Sequence, residues 1–444
     1  VISRLLLLGA TGDLAGRFLL PALGWLTAAG ELPDDLQVVA AGVQDWDDQA
    51  FRDHVAARWE SSAGDLPTAA REATLRRLRY RRFDADDPVT VAAAVGAFAG
   101  GGPVAAYLAL PPALFPATLR ALGSAGLPPG SRIAVEKPFG ADLTTAVALN
   151  RLLAEVSGGD EAAVTRVDHF LGMPVVTGLL TLRAPDGELG PGWHGEEIAE
   201  VHVVWEETLG LEGRADFYDR TGAVRDVLQN HLLQVLVLLT LEPPPSPGEA
   251  GLHAAKLTLL RALQLSSSDP AACTRRARYT AGVLATGDTV PDYAAEDGVD
   301  PARGTETHAE LVFGIDTPRW AGTRFLLRTG KAVGTSRKVV AVHFRDAGRE
   351  PLEISLEPAQ HGPRPGATQA PGELTAYCRV LGDVLAGGSA TSVSAGEAEQ
   401  AWRVVDPALA AWAAGTVPLQ EYAAGSAGPP PLAPSAQPSR RSSP

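Results

Sequence analysis

Over the first 165 residues the apolar positions fall into short runs separated by helical spacings. RLLLL at positions 4–8 has the length of a buried strand, and it empties into Gly9-Ala10-Thr11-Gly12-Asp13-Leu14-Ala15. Phe18, Leu19, Leu20, Leu23 and Leu26 then recur three and four residues apart, as on one face of a helix. Residues 36–41, 107–110 (closed by Pro111-Pro112) and 133–135 are further strand-length apolar runs. Strands alternating with helical patterns predict a parallel α/β sheet up to about residue 165.

From residue 197 the texture changes. EVHVVWE (200–206), RFLLR (324–328), KVVAVHFR (338–345) and LEISL (352–356) largely alternate apolar with polar, as half-buried antiparallel strands do. Helical stretches lie between them, notably 223–241. Residues 286–304 read as a polar loop, and 429–444, PPLAPSAQPSRRSSP with its leading proline, as a disordered tail. The chain shows no internal repeat. The predicted organisation is an α/β Rossmann-type N-terminal domain over 1–166 and an α+β C-terminal domain with a large antiparallel sheet over 167–428.

Composition narrows the functional classes. A chain of 444 residues with 45% hydrophobic content supports two or three cores. No apolar run has membrane-spanning length, and the opening residues run into the glycine turn without a cleavable leader. The net charge of −14 is spread along the chain, which favours solubility and argues against a nucleic-acid partner. Cys273 and Cys378 are too few for a disulfide framework, as expected of a cytoplasmic protein. Lysine is scarce beside arginine: Lys137, Lys256, Lys331 and Lys338 make up the set, so each is more informative than usual.

Two stretches carry candidate chemistry. The glycine turn sits between a strand and a helix, where backbone N–H groups and the helix N-terminus cradle a pyrophosphate. Its G-x-x-G spacing is shorter than G-x-G-x-x-G, and an ordinary βα turn has the same bare pattern. The second stretch is DVLQNHLLQ, 226–234. Val227, His231 and Val235 are four apart and share one stripe of an α-helix. An imidazole among apolar neighbours needs a partner. RVDHFLG, 166–172, offers Asp168 and His169 at the end of a strand. A carboxylate fixing one ring nitrogen leaves the other as a general base. A lone histidine is more often a satisfied core residue, so the reading depends on the company it keeps.

That company is specific. GATGDLA, YLALPP, EKPFG, RVDHFLG, YDRTGAVRDVLQNHLLQ, TETHAELVFGID, RWAGTRFLLRTGKAV and AWRVVDPAL occur in this order. Together they resemble the glucose-6-phosphate dehydrogenase family, over nearly the whole chain. The resemblance implies oxidation of C1 of glucose 6-phosphate to the lactone, with NADP or NAD as hydride acceptor, in a homodimer or homotetramer built through the large sheet. It implies His231 as base and Asp168 as its orienting partner. His169 matches a ligand of the substrate phosphate, Glu207 and Asp226 match ligands of sugar hydroxyls, and Lys331 and Arg337 match substrate-side cations. Lys137 matches a residue between nicotinamide and sugar, and Pro138 after it calls for special backbone geometry. The cofactor side is implied to use Gly9, Thr11, Gly12, Asp13, Leu14 and Tyr107. No cluster has the spacing of a metal site.

The chain also departs from the family pattern. DHYLGKE becomes DHFLGMP, so Phe170 and Met173 stand where phosphate ligands are expected, and Phe18 replaces a polar residue after GDLA. This keeps two alternatives in view: a dehydrogenase of altered sugar specificity, and a non-catalytic relative that regulates or assembles with an active one. The loop after the second strand, 41–46, holds no arginine for a 2′-phosphate, and Asp45 would accept from a free ribose hydroxyl. NAD is therefore expected to serve at least as well as NADP, unless Arg81 or Arg82, after a later strand, takes the arginine's place.

Overall fold

The computed structural model describes residues 1–62, 65–184, 187, 189–190, 192–246, 248–357, 370 and 372–432. The chain forms two compact units, each assembled from separated stretches. The first comprises Val1–Gly190, Val237–Arg261 and Glu357–Trp402, and the second Pro191–Leu236, Ala262–Leu356 and Arg403–Pro444.

The first unit is built on six parallel strands: β1 (Arg4–Leu8), β2 (Gln37–Gly42), β3 (Leu78–Arg82), β4 (Ala105–Leu108), β5 (Arg132–Glu136) and β6 (Val164–Val167), in the order β3-β2-β1-β4-β5-β6. Leu5 to Leu8 are each 0% exposed. Successive side chains point to opposite faces, so both faces of β1 are covered, as a parallel sheet with flanking helices requires. The expected parallel α/β sheet is present. Its two outermost strands, LRYRR and VTRV, are not apolar runs: β3 alternates buried Leu78 and Tyr80 with the more exposed Arg79 and Arg81, and β6 is buried throughout but includes Arg166, which donates to Asn150 at 2.8 Å and Glu161 at 2.8 Å. The strand order reverses between β1 and β4, and there Gly9 meets the chain leaving β4.

Part of this unit's core comes from far along the sequence. Helix Glu373–Ala386 inserts Tyr377, Val380, Leu381, Val384 and Leu385 into the cluster that holds Leu19, Leu23 and Trp25. The backbone N–H of Ile2 donates to the Leu385 carbonyl at 2.8 Å, tying that helix to the start of the chain.

The second unit carries an eight-stranded sheet. Its strands are β7 (Ile198–Glu206), β8 (Leu263–Leu265), β9 (Thr274–Thr280), β12 (His308–Ile315), β13 (Arg324–Gly330), β14 (Arg337–Phe344), β15 (Leu352–Ser355) and β16 (Leu419–Ala423); β10 (Gly282–Val283) and β11 (Thr289–Val290) form a separate hairpin. The order is β15-β14-β7-β13-β12-β9-β16, with β8 also on β12. Most pairs are antiparallel, as expected, but β7 runs parallel to β13 and β9 parallel to β16. β7 wedges between β13 and β14, which are neighbours in sequence, and the long path from β7 to β13 permits the parallel seam. The stretch read as a polar loop is anchored on Asp219, which accepts from the Tyr293 hydroxyl at 2.8 Å and from the Asp300 N–H at 3.0 Å.

Charge is buried inside the sheet. Arg328 on β13 donates to Glu206 on β7 at 2.7 Å, to Glu310 on β12 at 3.0 Å and to the Pro429 carbonyl at 2.8 Å. The Leu432 N–H donates to Glu310 at 2.5 Å, so residues 429–432 of the expected tail lie against the sheet; 433–444 fall outside the described residues.

The inserted helix supplies a test. Leu381→Ala removes a fully buried side chain and should cost about 2–5 kcal/mol. Urea unfolding followed by a probe in the first unit should show a lower midpoint; an unchanged midpoint would mean that the helix contributes little to that core.

Candidate active site

At the carboxyl end of β1 the backbone turns on Gly9, whose φ is +86°; a Cβ there would lie 2.2 Å from the Ala109 carbonyl. Only glycine satisfies both the left-handed conformation and this contact between the chains leaving β1 and β4. Gly9 and Ala10 donate their N–H groups to the Ala41 carbonyl, at 2.8 and 2.9 Å, and the Gly12 N–H returns to Gly9 at 3.0 Å. The turn feeds a short π-helix, Ala15–Leu19, which continues as α-helix Leu20–Ala29. Ligands bind at this reversal of strand order in doubly wound sheets, and Thr11, Gly12, Asp13 and Leu14 all lie there. The Asp13 carboxylate is held by Arg17 at 3.3 Å and Arg58 at 3.2 Å.

Beyond β2 and β3 lies a cavity of about 600 Å³ lined by Asp45, Trp46, Arg52, Tyr80, Arg81 and Arg82, among others. Arg81 and Arg82 belong to β3 itself rather than following it. Arg52 is spent on the Leu78 carbonyl, and Arg81 is directed to Asp48 at 3.4 Å and to its neighbour's carbonyl at 2.5 Å. Arg82 is the exposed cation of the set.

Tyr107, at position 107 of β4, is 0% exposed. Its hydroxyl donates in a very short hydrogen bond to Glu136 at the end of β5. A cofactor can therefore approach Tyr107 by its backbone but not by its phenol. Burial is the strongest influence on Glu136 and lifts its pKa to about 7, against the opposing pull of the Tyr107 hydroxyl and of Lys137. The Lys137–Pro138 peptide is cis.

Asp168 follows β6 and is fully buried; one carboxylate oxygen accepts from the Phe170 N–H at 3.1 Å. His169 next to it stacks on Tyr377, with ring centroids 5.0 Å apart and the phenol 3.3 Å from Nδ1. Tyr377 in turn stacks on Phe18 at 4.9 Å. Phe170 and Met173 are 4% and 3% exposed. Of the three replaced positions, Phe18 thus packs its ring on Tyr377 and Phe170 its ring edge-on to His169, 5.3 Å between centroids, while Met173 is buried nearby in the chain. Tyr377 was invisible to sequence reasoning because it arrives on the distant helix Glu373–Ala386.

In the second unit the segment bearing His231 is not α-helical as its apolar spacing suggests. Val224–Leu232 is wound as a π-helix between Ala215–Ala223 and Leu233–Thr240. Val227 is only partly buried while His231 is 3% exposed, so the expected stripe of Val227, His231 and Val235 is broken. On an α-helix residues five apart diverge by about 140°. The wider π turn, with its i to i+5 hydrogen bonds, reduces that divergence, and Asp226 and His231, five apart, both lie within it. Asn230 supports the wide turn: its side chain accepts the His231 N–H at 2.6 Å and donates to the Arg225 carbonyl at 2.8 Å.

Lys331, just past β13, donates to Glu207, just past β7, at 2.7 Å and lies 5.3 Å over the Tyr218 ring. Burial pushes the Glu207 carboxyl up, but Lys331 and Lys338 outweigh it and hold its pKa below the ordinary value; Asp226 is close enough to oppose them. Glu207, Asp226 and Lys331 therefore form one electrostatic group. Arg337 is not part of it. Arg337 pairs with Glu353 at 2.6 Å and lines a different cavity, with His202 and Arg328. The second cation beside Glu207 is Lys338, whose ammonium also lies 4.4 Å over the Trp205 ring. The scarcity of lysine was the available signal for it. Among the described residues no group of histidine, cysteine and carboxylate side chains is arranged to hold a metal ion, and no helix is long and apolar enough to cross a membrane.

A dinucleotide-binding type of sheet followed by an α+β unit that gathers carboxylate, imidazole and ammonium groups defines a class, the two-domain nicotinamide-dependent dehydrogenases. Residues 6–177 match the glucose-6-phosphate dehydrogenase NAD-binding domain, and residues 180–364 and 364–441 match the C-terminal domain of that family. Glucose-6-phosphate 1-dehydrogenase of Gluconobacter oxydans is 34% identical over 463 residues, covering 95% of this chain and 93% of that protein. Glucose-6-phosphate 1-dehydrogenase 2 of Mycobacterium tuberculosis is also 34% identical, covering 96% and 91%. The crystal structure of the Mycobacterium avium enzyme superposes with a TM-score of 0.82 at 30% identity, covering 96% of this chain and 95% of that one. A solved glucose-6-phosphate dehydrogenase in complex with glucose 6-phosphate gives 0.83 at 26% identity, with the same coverage. The chain belongs to the glucose-6-phosphate dehydrogenase family.

The Glu207–Lys331 pair can be tested directly. Because the folded pKa of Glu207 is depressed, the pair stabilises above the ordinary value of 4.5 and is lost on acidification below it. Lys331→Met removes the direct partner of a partly buried carboxylate, leaving only the more distant Lys338, and should cost about 1–3 kcal/mol at neutral pH. Adding Glu207→Gln should recover part of that loss in thermal midpoint. A double variant no more stable than Lys331→Met would show that the two groups are not coupled.

Proposed function

We propose that this chain oxidises C1 of glucose 6-phosphate to 6-phosphogluconolactone, with NAD or NADP as hydride acceptor. The observation that carries the reading is the π-wound Val224–Leu232 segment, which holds both Asp226 and buried His231 in a chain that belongs to this family. Removing hydride from a hemiacetal carbon requires that the C1 hydroxyl lose its proton. The ring oxygen shares the positive charge that develops, so one base working near neutral pH suffices. We assign that base to His231 and its orientation to Asp168. Glu207 and Asp226 hold sugar hydroxyls. The phosphate falls to His169 and Lys331, with Phe18, Phe170 and Met173 adding no charge. Lys137 is assigned a place between sugar and nicotinamide.

The glycine turn fits a dinucleotide: side-chain-free backbone at Gly9 and Gly12 and the start of a helix face the reversal of strand order. When bound, the nicotinamide supplies the hydride acceptor. We further place the protein in the cytoplasm as a homodimer or homotetramer, in keeping with its family and with two free cysteines whose thiols are both raised by burial.

His231→Asn should keep the fold and lower turnover by about 10²–10⁴-fold. Near-normal turnover would make His231 a structural residue. On the cofactor side, Asp45 lines the cavity beyond β2 and Arg52 and Arg81 are occupied, so NAD should serve at least as well as NADP by kcat/KM. Val43→Arg combined with Asp45→Ser should move the preference toward NADP. A wild-type preference for NADP of about tenfold, removed by Arg82→Ala, would reverse this assignment.

A further inference from the structure

We infer that Glu306, a residue with no part in the chemistry, is a positioning residue that fixes the entry of the π-wound segment and so sets the directions of Asp226 and His231. The inference rests on the roles proposed for those two residues.

Glu306 precedes β12 and is 6% exposed. The first turn of any helix leaves backbone N–H groups without partners in the helix. Here one residue takes two of them in succession: the Glu306 carbonyl accepts from Ala223 at 3.1 Å, and its carboxylate accepts from Val224, also at 3.1 Å. The approach depends on Gly222. Its φ of +69° and ψ of 171° break the preceding helix, and a Cβ there would lie 2.6 Å from the carboxylate oxygen. Glu306 itself stands on a rigid base. The Thr305 hydroxyl donates to the Asp219 carbonyl at 2.7 Å, and the Thr307 hydroxyl accepts from the Tyr279 N–H at 3.0 Å and pairs with the Tyr422 hydroxyl at 2.8 Å. Both flanks are therefore fixed to other elements, and the carboxylate is fixed with them.

This matters because α and π winding differ by about one residue per turn. A segment released at its entry has a local α-helical pattern to fall back on. In that winding Asp226 and His231 diverge. Burial raises the pKa of the carboxyl, opposed by the Val224 N–H and by the cations Arg225 and Arg276; the phenols of Tyr218 and Tyr293 are the other titratable groups nearby. The acceptor function needs an oxygen at that place, not a charge, so glutamine is the conservative replacement.

The experiment compares Glu306→Gln, Glu306→Ala and Glu306→Asp in the full chain, measuring kcat and KM for glucose 6-phosphate and the pH profile of kcat/KM. Glu306→Gln should stay within about twofold of wild type, and Glu306→Ala should lose about 10–100-fold in kcat, as misplaced catalytic groups do. Its acidic limb should also shift, because a reoriented His231 titrates in new surroundings. A merely structural residue would move stability and leave that limb in place. If Glu306→Ala does not fold, the remaining pair decides: Asp withdraws the oxygen by one methylene and should be slow where Gln is fast. Wild-type kinetics and pH profile in all folded variants overturn the inference, as does a Gln variant as slow as Ala or Asp. His231→Asn measured alongside separates the two levels: an active His231→Asn defeats the assignment of the base, whereas an inactive His231→Asn with unperturbed Glu306 variants defeats this inference alone.

Discussion

A carboxylate taken out of water must be paired, hydrogen-bonded or protonated, and much of this protein follows from how it meets that constraint. Glu206 and Glu310 share Arg328 across three strands. Glu397, with no exposure, is met by Lys256 at 2.7 Å and His253 at 2.6 Å. Glu136 takes the Tyr107 hydroxyl, Glu207 takes Lys331, and Glu306 takes a backbone N–H. Each solution joins elements that are distant in sequence. Breaking one leaves an uncompensated group inside the core, so these pairs fix geometry more than they add net stability.

The same constraint organises the chemistry. Glu207 is kept ionised by its lysines, while Glu136 is lifted toward neutrality by burial. Two carboxyls in one enzyme are thereby given different charges at the same pH by surroundings alone. The scarce lysines fall at such places: Lys331 and Lys338 beside Glu207, Lys256 on Glu397 and Lys137 beside Glu136. In a chain that otherwise uses arginine, the compact ammonium sits where a single carboxylate or an aromatic face must be met. Phe18 and Phe170 show the opposite choice, in which Tyr377 and His169 are met by aromatic rings rather than by charge.

Much of this architecture was legible in the chain itself. The apolar runs of β1, β2, β4 and β5, the glycine turn after β1 and the alternating texture of β7, β13, β14 and β15 are local patterns, set by side-chain period and by glycine's freedom, and they survive into the fold. The ordered motifs from GATGDLA to AWRVVDPAL identified the family for the same reason: they are contiguous. What the chain could not reveal depends on partners supplied from elsewhere. The edge strand β3 is only half covered, and β6 buries Arg166 because Asn150 and Glu161 receive it. β7 lies parallel to β13, a pairing that its long connection permits and that its own residues do not signal. Lys338 rather than Arg337 stands beside Glu207 because β14 directs the two to different neighbours. The π winding of Val224–Leu232 contradicts its α-helical spacing, since its entry is held by Glu306, more than seventy residues away in the chain. Sequence thus determined the elements and the family; tertiary structure decided winding, pairing and charge, because each of those is fixed by a group that the local chain does not contain.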